Sequence, residues 1–499
     1  MASKDMPPST QPSNATPLAS ISKPTSPPPE IPVDSNLVAW DGPHDPDNPK
    51  NWPMKRKWLA IVPMSMFNFL AAMSSAAAAP ALFQIGKDLE IHSQTLLIMV
   101  LSIFLLGSAV IPLFTGPLSE VFGRVVILQL TNAFYIVFNT ACGAARTQNQ
   151  MIAFRFLAGL GGSGPQAIGS GILGDLFLPH ERGKAVAIYT VAPLLGTLIG
   201  PITGGYLVQY ASWRWSFYIV SIAGAVVQLA GFFIFRETYA PILLHRRCKK
   251  LQKSTGNQEL YTQFHSVKFS ELLRKSLNRP FKMLGTQPIV QVLSLYVAFL
   301  NGILYLMVAT FPDVWTRVYN ESASIGSLNY ISFTIGMIIA MQVGTRFADK
   351  LYLRLRTKNG GVGVPEFRLP MLCMGATTVP VGLFWYGWTA RESLHWIMPN
   401  IGAAIYAGST VLQLVCVQGY LIDCYTQYAA SAMAGVTVLR NLLGFGLPLV
   451  APSLYGRLGF AWGNSLLAFL AIFIGIPAPI ALWFYGATLR KKSPFARSD

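Results

Sequence analysis

Residues 95–114 read TLLIMVLSIFLLGSAVIPLF, and residues 115–124 continue TGPLSEVFGR. The first stretch is twenty residues long and carries no charge. As a helix it rises about 30 Å, the thickness of a bilayer's hydrocarbon core. The second stretch turns polar and brings Glu120 and Arg124 close together. This is the pattern of a membrane crossing that ends in a charged turn. Similar apolar runs lie near 58–81, 125–145, 150–173, 185–208, 214–235, 288–311, 324–346, 369–389, 394–421, 431–453 and 463–486. Numbered in chain order, they make twelve spans in two groups of six. The fold class expected is an all-α membrane protein of two six-helix bundles. Composition agrees: 52% of the 499 residues are hydrophobic, 12% are charged, and mean hydropathy is +0.43. A soluble domain carries about twice that charged fraction. An ordinary soluble enzyme and a disordered chain are therefore both excluded.

The domain boundaries follow from composition. Residues 1–56 hold thirteen of the 34 prolines amid Ser, Thr and Asn, and read as a disordered N-terminal tail. They contain no apolar core of a secretory signal. Residues 57–235 form the first bundle, 236–287 a basic central loop, 288–486 the second bundle and 487–499 a C-terminal tail. An even number of spans puts both termini on one side. Of the 38 Lys and Arg, 30 fall on that side, 6 on the other, and Arg155 and Arg440 within spans. Such asymmetry assigns the tails and central loop to the cytoplasm. The net charge of +17 thus reports topology, with attraction to anionic inner-leaflet lipid as its by-product. No basic-aromatic module points to nucleic acid. The five Cys form no CxxC pair and no metal-ligand spacing with the six His, so buried thiols are expected, with no metal and no cofactor. No nucleophile-base set lies at depth, which argues against an enzyme. The plasma membrane is the expected location, with the vacuolar membrane as the alternative.

Several motifs then carry chemistry. Glycines at Gly116 and Gly123 allow a tight turn, and Glu120 with Arg124 makes a charge pair able to latch two helices and release them. The alternative role is a simple basic turn. The run Gly116-x-Leu118-x-Glu120-x-x-Gly123-Arg124 resembles the signature loop of the major facilitator superfamily. Val125 stands where that family commonly has a second basic residue. The loop after span 8, Gly344-Thr345-Arg346-Phe347-Ala348-Asp349-Lys350, resembles a second copy. Two copies at matching positions fit parallel six-helix halves, as in the major facilitator fold. Span 4 carries Arg155, and an ionisable residue within a span is a functional hypothesis by default. Arg155 resembles the span-4 arginine that the superfamily links to proton coupling. Its alternative role is structural bonding to carbonyls. Span 5 contains Gly196, Gly200, Pro201, Gly204 and Gly205. Small residues at this spacing let two backbones approach, and the proline bends the helix. The run resembles the antiporter motif of drug:proton exporters, with Ala187 in place of an earlier glycine.

Further segments extend the likeness: Asp47-Asn48-Pro49-Lys50-Asn51-Trp52-Pro53 before span 1, Trp213-Arg214-Trp215 at span 6 and Arg236-Glu237-Thr238-Tyr239-Ala240-Pro241 after it. Together they resemble the fungal twelve-span drug:proton antiporters over about residues 45–490. That resemblance implies a proton-coupled exporter of a small organic molecule, such as a secondary metabolite, an organic acid or a drug-like toxic compound. It implies multidrug or metabolite efflux, alternating access and a monomer in the bilayer. An importer of a small nutrient and a polyamine exporter are the alternatives on the same fold. By the same analogy spans 1, 4, 7 and 10 line the substrate cavity. Their midplane polar residues are Asn68, Gln166, Asn301, Tyr305 and Gln413, joined by Arg440 and Asn441 in span 11. No Asp or Glu sits mid-span. A cationic polyamine is therefore less favoured than a neutral or anionic cargo. Asp349 and Asp423 lie at the cytoplasmic ends, and Asp423 is the first choice of proton carrier. The sequon Asn320-Glu321-Ser322 sits on the outer side in a short loop, where glycosylation is not expected.

Overall fold

A computed structural model describes residues 36–178, 181–263 and 269–496. Every predicted span coincides with helix. The first half comprises Met54–Ala77, Gln94–Val110 with Pro112–Phe122, Arg124–Ala144, Gln148–Gly162 with Gly164–Leu176, Arg182–Tyr210 and Trp215–Ile234. The second comprises Pro288–Asp313, 323–358, Leu369–Thr389, Ile397–Tyr425, 429–458 and 460–491. Judged only by unbroken length and apolarity, nine helical stretches among the described residues qualify as crossings, or ten with one bent pair. Particular residues account for the difference. Pro112 follows a 43° bend in span 2. Span 4 breaks at Ser163, before Gly164 and Pro165. The stretch Ala429–Lys491 is 63 residues, far beyond the twenty or so that one crossing needs, and it turns at Gly459 with φ +68°.

Side chains cap the entries. Ser93 accepts from the Leu96 amide at 3.5 Å and Thr147 from Gln150 at 3.3 Å. The two signature stretches are less loop-like than expected. Span 2 stays helical to Phe122 before Gly123 turns the chain at φ +107°. In span 8 a π turn, Ala340–Gly344, leads straight into the helix Thr345–Lys358. Glu120 and Asp349 thus sit on helices, because neither stretch holds a breaker before them strong enough to end one.

The tail and central loop also differ from expectation. Residues 1–35, with Asn14, lie outside the described residues. Residues 36–53 are folded against the central loop and are not a disordered tail. Strand β1 (Leu37–Val38) pairs in parallel with β2 (Tyr261–Thr262). The loop contains the helices Ala240–Thr255 and Phe269–Thr286. Asp45 anchors the arrangement. It accepts the amides of Asp41 and Asp47 at 2.8 Å each, and Arg247 Nη1 at 2.7 Å. Asn51 Nδ2 bonds the carbonyls of Pro43 and Asp45, and Val38 and Trp52 are buried. Proline content alone concealed this, since the ordering comes from one aspartate and its distant arginine.

Burial tends to raise the Asp45 pKa, but the two amides and Arg247 outweigh it and the value falls below the ordinary 3.8. The stabilisation is therefore present above that ordinary value and lost as pH drops through the lower folded one. Asp45→Asn should weaken the docking of residues 36–53 by about 2 kcal/mol at neutral pH. Faster amide exchange over 37–52 and 240–255 would show it, and the difference from wild type should vanish in strong acid. Unchanged protection at neutral pH would contradict the anchor.

Candidate functional site

Span 5 lies along span 1 at the closest approach the backbone permits. A Cβ added to Gly196, Gly200 or Gly204 would stand 2.3 Å from the carbonyl oxygen of Phe69, Met73 or Ala77 respectively. The four-residue spacing of the glycines matches that of the three carbonyls, so both helices share one face. Pro201 lies within the same helix. Gly205 faces the second half, where a Cβ would come 2.3 Å from Ser327 Oγ. Four residues on, Gln209 Oε1 accepts the Ser324 amide at 3.0 Å. Span 5 thus packs on span 1 and closes the outer end of the seam against span 8.

Arg155 is wholly buried and met by backbone oxygens. It donates to Val100 at 3.0 Å, Ser74 at 3.4 Å, Ser75 at 3.3 Å and Leu101 at 3.4 Å. Its guanidinium also lies 5.0 Å from the centre of the Phe104 ring. In this conformation it braces spans 1, 2 and 4.

At the face that carries the central loop, Arg124 does not pair with Glu120. Its Nε meets Asp175 Oδ2 at 3.2 Å and its Nη1 bonds Ser119 Oγ at 2.7 Å. Its partner is therefore Asp175 at the end of span 4. Glu237, just past span 6, caps span 3 by accepting the amides of Arg124 at 3.0 Å and Val125 at 3.4 Å. Gly123 makes room, because a Cβ there would fall 2.2 Å from the Glu237 carboxylate. The second half repeats the scheme. Arg368, before span 9, bonds Asp423 at the end of span 10 at 2.6 Å. Glu366 meets Arg490, near the end of span 12, at 3.2 Å. Both of these are nearly buried. Sequence reasoning missed Glu366 and the role of Arg368; their positions before span 9, matching Arg124 before span 3, are the signal that finds them. Asp349 is exposed.

Among the midplane residues, the structure gathers Asn301, Tyr305 and Arg440. Asn301 Nδ2 donates to the Arg440 carbonyl at 3.0 Å. Arg440 Nε is buried without a hydrogen-bond partner. Tyr305 is the ionisable group beside it among the described residues. Tyr305 also faces Ser75 and Arg155 of the first half. Asn441 Nδ2 crosses between halves to the Ser108 carbonyl at 3.0 Å. Asn68 is buried beside Tyr189, whose hydroxyl bonds the Gln166 carbonyl at 2.9 Å, and the Gln166 side chain is exposed. Gln413 is elsewhere. It is fully buried inside the second bundle, accepting the Tyr296 hydroxyl and donating to the Ser409 carbonyl at 3.2 Å, so it does not face the seam. Helix periodicity left its face ambiguous, and the missing side chain at Gly375, where a Cβ would lie 2.5 Å from Gln413, opens the slot it fills. Asn320 is exposed in the left-handed region, φ +54°, directly before Ser322 caps the next helix.

Comparison with known proteins agrees with this architecture. The sequence pattern described as Major Facilitator Superfamily matches residues 64–447. The chain is similar to the efflux pump vrtL of Penicillium aethiopicum, 47% identical over 93% of this chain and 92% of that one. It is 42% identical to the MFS-type transporter oryF of Aspergillus oryzae, over 90% of this chain and 93% of that one. Its fold is similar to a partially occluded, inward-open structure of the xylose transporter XylE from E. coli. That match has a TM-score of 0.64 at 14% identity and covers 86% of this chain and 98% of the other.

Two glycines give opposite expectations. Gly200→Ala places a Cβ against the Met73 carbonyl and must push spans 1 and 5 apart, at a cost of about 1–3 kcal/mol. Gly116→Ala meets nothing within 4 Å and should be neutral or gain up to about 1 kcal/mol of helix propensity. Thermal unfolding of the two purified variants checks this; equal melting temperatures would refute the close-packing role.

Proposed function

The chain belongs to the major facilitator superfamily, and we propose that it exports a small anionic organic molecule by proton-coupled alternating access. The observation that carries this reading is Arg440, whose buried Nε has no hydrogen-bond partner, beside Asn301 and Tyr305, with Tyr305 in turn facing Ser75 and Arg155 of the first half. A buried guanidinium nitrogen left without an acceptor is costly. A carboxylate, phenolate or enolate cargo supplies the acceptor, and its apolar remainder suits the surrounding helices. Arg155, satisfied by four carbonyls, contributes positive potential without needing a cargo oxygen. The absence of a mid-span carboxylate disfavours a polyamine.

Direction rests on span 5. Its full Gly196, Gly200, Pro201, Gly204, Gly205 run resembles that of exporters, and vrtL, the 47% relative, is named an efflux pump. A secondary metabolite, an organic acid or a drug-like toxic compound all fit the site. For coupling, Asp423 is the proton carrier in this reading. Its carboxylate is held by Arg368 at the inner end of span 10, and a proton there removes the charge attraction of that tie. The plasma membrane is the natural place for such an exporter. Import on the same fold is the competing outcome, and counterflow in vesicles under an imposed pH gradient separates the two.

Deleting the gene in its host and profiling retained metabolites tests the reading. Acidic compounds should accumulate in the cells, and the wild-type gene should restore export. Arg440→Gln, expressed at the same level, should cut the export rate about tenfold or more, the worth of one charge-assisted bond, and Arg440→Lys should recover part. Unchanged export, or accumulation of a cation instead, would overturn it.

A further inference from the structure

Where residues 36–53 fold onto the central loop, they enclose a second cavity, far from the seam. Its volume is about 800 Å³. Arg56, Arg236, Arg246, Arg247 and Lys250 line it, and among the described lining residues the carboxylates are Asp47 and Glu237. Several of these charges are already committed. Arg247 is held by Asp41 and Asp45. Glu237 accepts the amides of Arg124, Val125, Thr238 and Tyr239. Arg56, Arg236, Arg246 and Lys250 therefore face a single uncommitted carboxylate, Asp47. Arg236 repels Arg56, and Asp47 only partly offsets it. The Arg56 guanidinium is held in place, 3.8 Å from the centre of the Trp52 ring. Like charges gathered around a concave space, one of them braced by a tryptophan, are built to receive an anion.

The position narrows the anion. Arg56 is in the first turn of span 1, Val125 and Val126 open span 3, and Phe235 and Arg236 follow span 6. That is the level of the inner-leaflet headgroups. Phe235, Val126, Leu243 and Leu251 complete an apolar wall. Two or more guanidinium forks match the several oxygens of a phosphate better than the two of a carboxylate. We propose that this cavity binds a phosphate-bearing anion, the headgroup of an anionic inner-leaflet phospholipid. Filling it neutralises the Arg56–Arg236 repulsion and so clamps residues 36–53 onto the end of span 6. The site is independent of the cargo and of the direction of transport.

The test uses the full-length protein in phosphatidylcholine nanodiscs, with or without phosphatidylinositol 4-phosphate, and a parallel soluble arm with inositol 1,4-bisphosphate. Binding and amide exchange over 37–56 and 240–255 are measured together. The phosphoinositide should bind and slow exchange in both segments. The double variant Arg56→Gln/Arg236→Gln should lower affinity about tenfold or more, as each basic residue near a lipid surface contributes several-fold. A second pair on the other wall, Arg246→Gln/Lys250→Gln, is exposed, should leave the melting temperature unchanged and should show the same loss. Lys491→Gln/Lys492→Gln, equally basic but outside the cavity, should bind as wild type does. Binding in the soluble arm alone, with the same variant pattern, would keep the phosphate site and overturn the lipid source. No binding in either arm, cavity variants that bind like wild type, or an equal loss in the tail variant would overturn the proposal.

Discussion

A guanidinium buried where no water reaches must be met by protein oxygens, and the first bundle is assembled around one such group. Arg155 takes oxygens from two helices, Ser74 and Ser75 on span 1 and Val100 and Leu101 on span 2. Carbonyls this deep in a bundle are ordinarily committed to their own helix, so the three helices must come very close for one side chain to collect four of them. Gly159 and Gly107 allow that approach. A Cβ on Gly159 would lie 2.1 Å from the Phe104 carbonyl, and one on Gly107 would lie 2.4 Å from that of Phe156. Span 1, once fixed by Arg155, presents Phe69, Met73 and Ala77 to the glycine face of span 5. The charge and the glycines are thus two sides of one packing solution. Removing either leaves the other with nothing to close against.

The face that carries the central loop shows how each half is braced as a unit. In both, the entry to the third helix is tied to the ends of the fourth and sixth. Arg124 to Asp175 and Glu237 to the span 3 amides make the first set; Arg368 to Asp423 and Glu366 to Arg490 make the second. The chemistry differs between copies, since one carboxylate caps a helix and its counterpart pairs with an arginine, yet the topology of the ties is the same. Among the described residues the hydrogen bonds across the seam are neutral, Gln209 with Ser324 and Asn441 with Ser108, beside the close approach of Gly205 to Ser327. Strong ties within halves and neutral hydrogen bonds between them are what rocking of two rigid bodies requires.

Much of this was legible in the sequence because the bilayer permits few alternatives. Apolar length placed every span. The glycine run of span 5 announced a close contact, although not that span 1 would supply it. What escaped depends on distant partners. Glu120 stands nearer to Arg124 in sequence, but the helix continues to Phe122 and leaves Asp175 better placed. Gln413 reads as a cavity residue from its depth, and only the packing of Gly375 shows it turned inward. The order in residues 36–53 hangs on Asp45 finding Arg247, about two hundred residues away, which no local pattern records.

Rocking of two rigid bodies confines motion to the seam while each half moves as one. Tyr210 and Ile325 are exposed at the outer ends of spans 5 and 8, on opposite sides of that seam. Phe83, also exposed, shares the first half with Tyr210. Pulsed electron spin resonance on the Tyr210→Cys/Ile325→Cys and Phe83→Cys/Tyr210→Cys pairs, in lipid and across a range of pH, reads both distances. Rigid-body rocking predicts a second, longer component for the first pair whose share changes with pH, and one unchanging distance for the second. A single short distance for the first pair at every pH, or equal movement within the half, would contradict it.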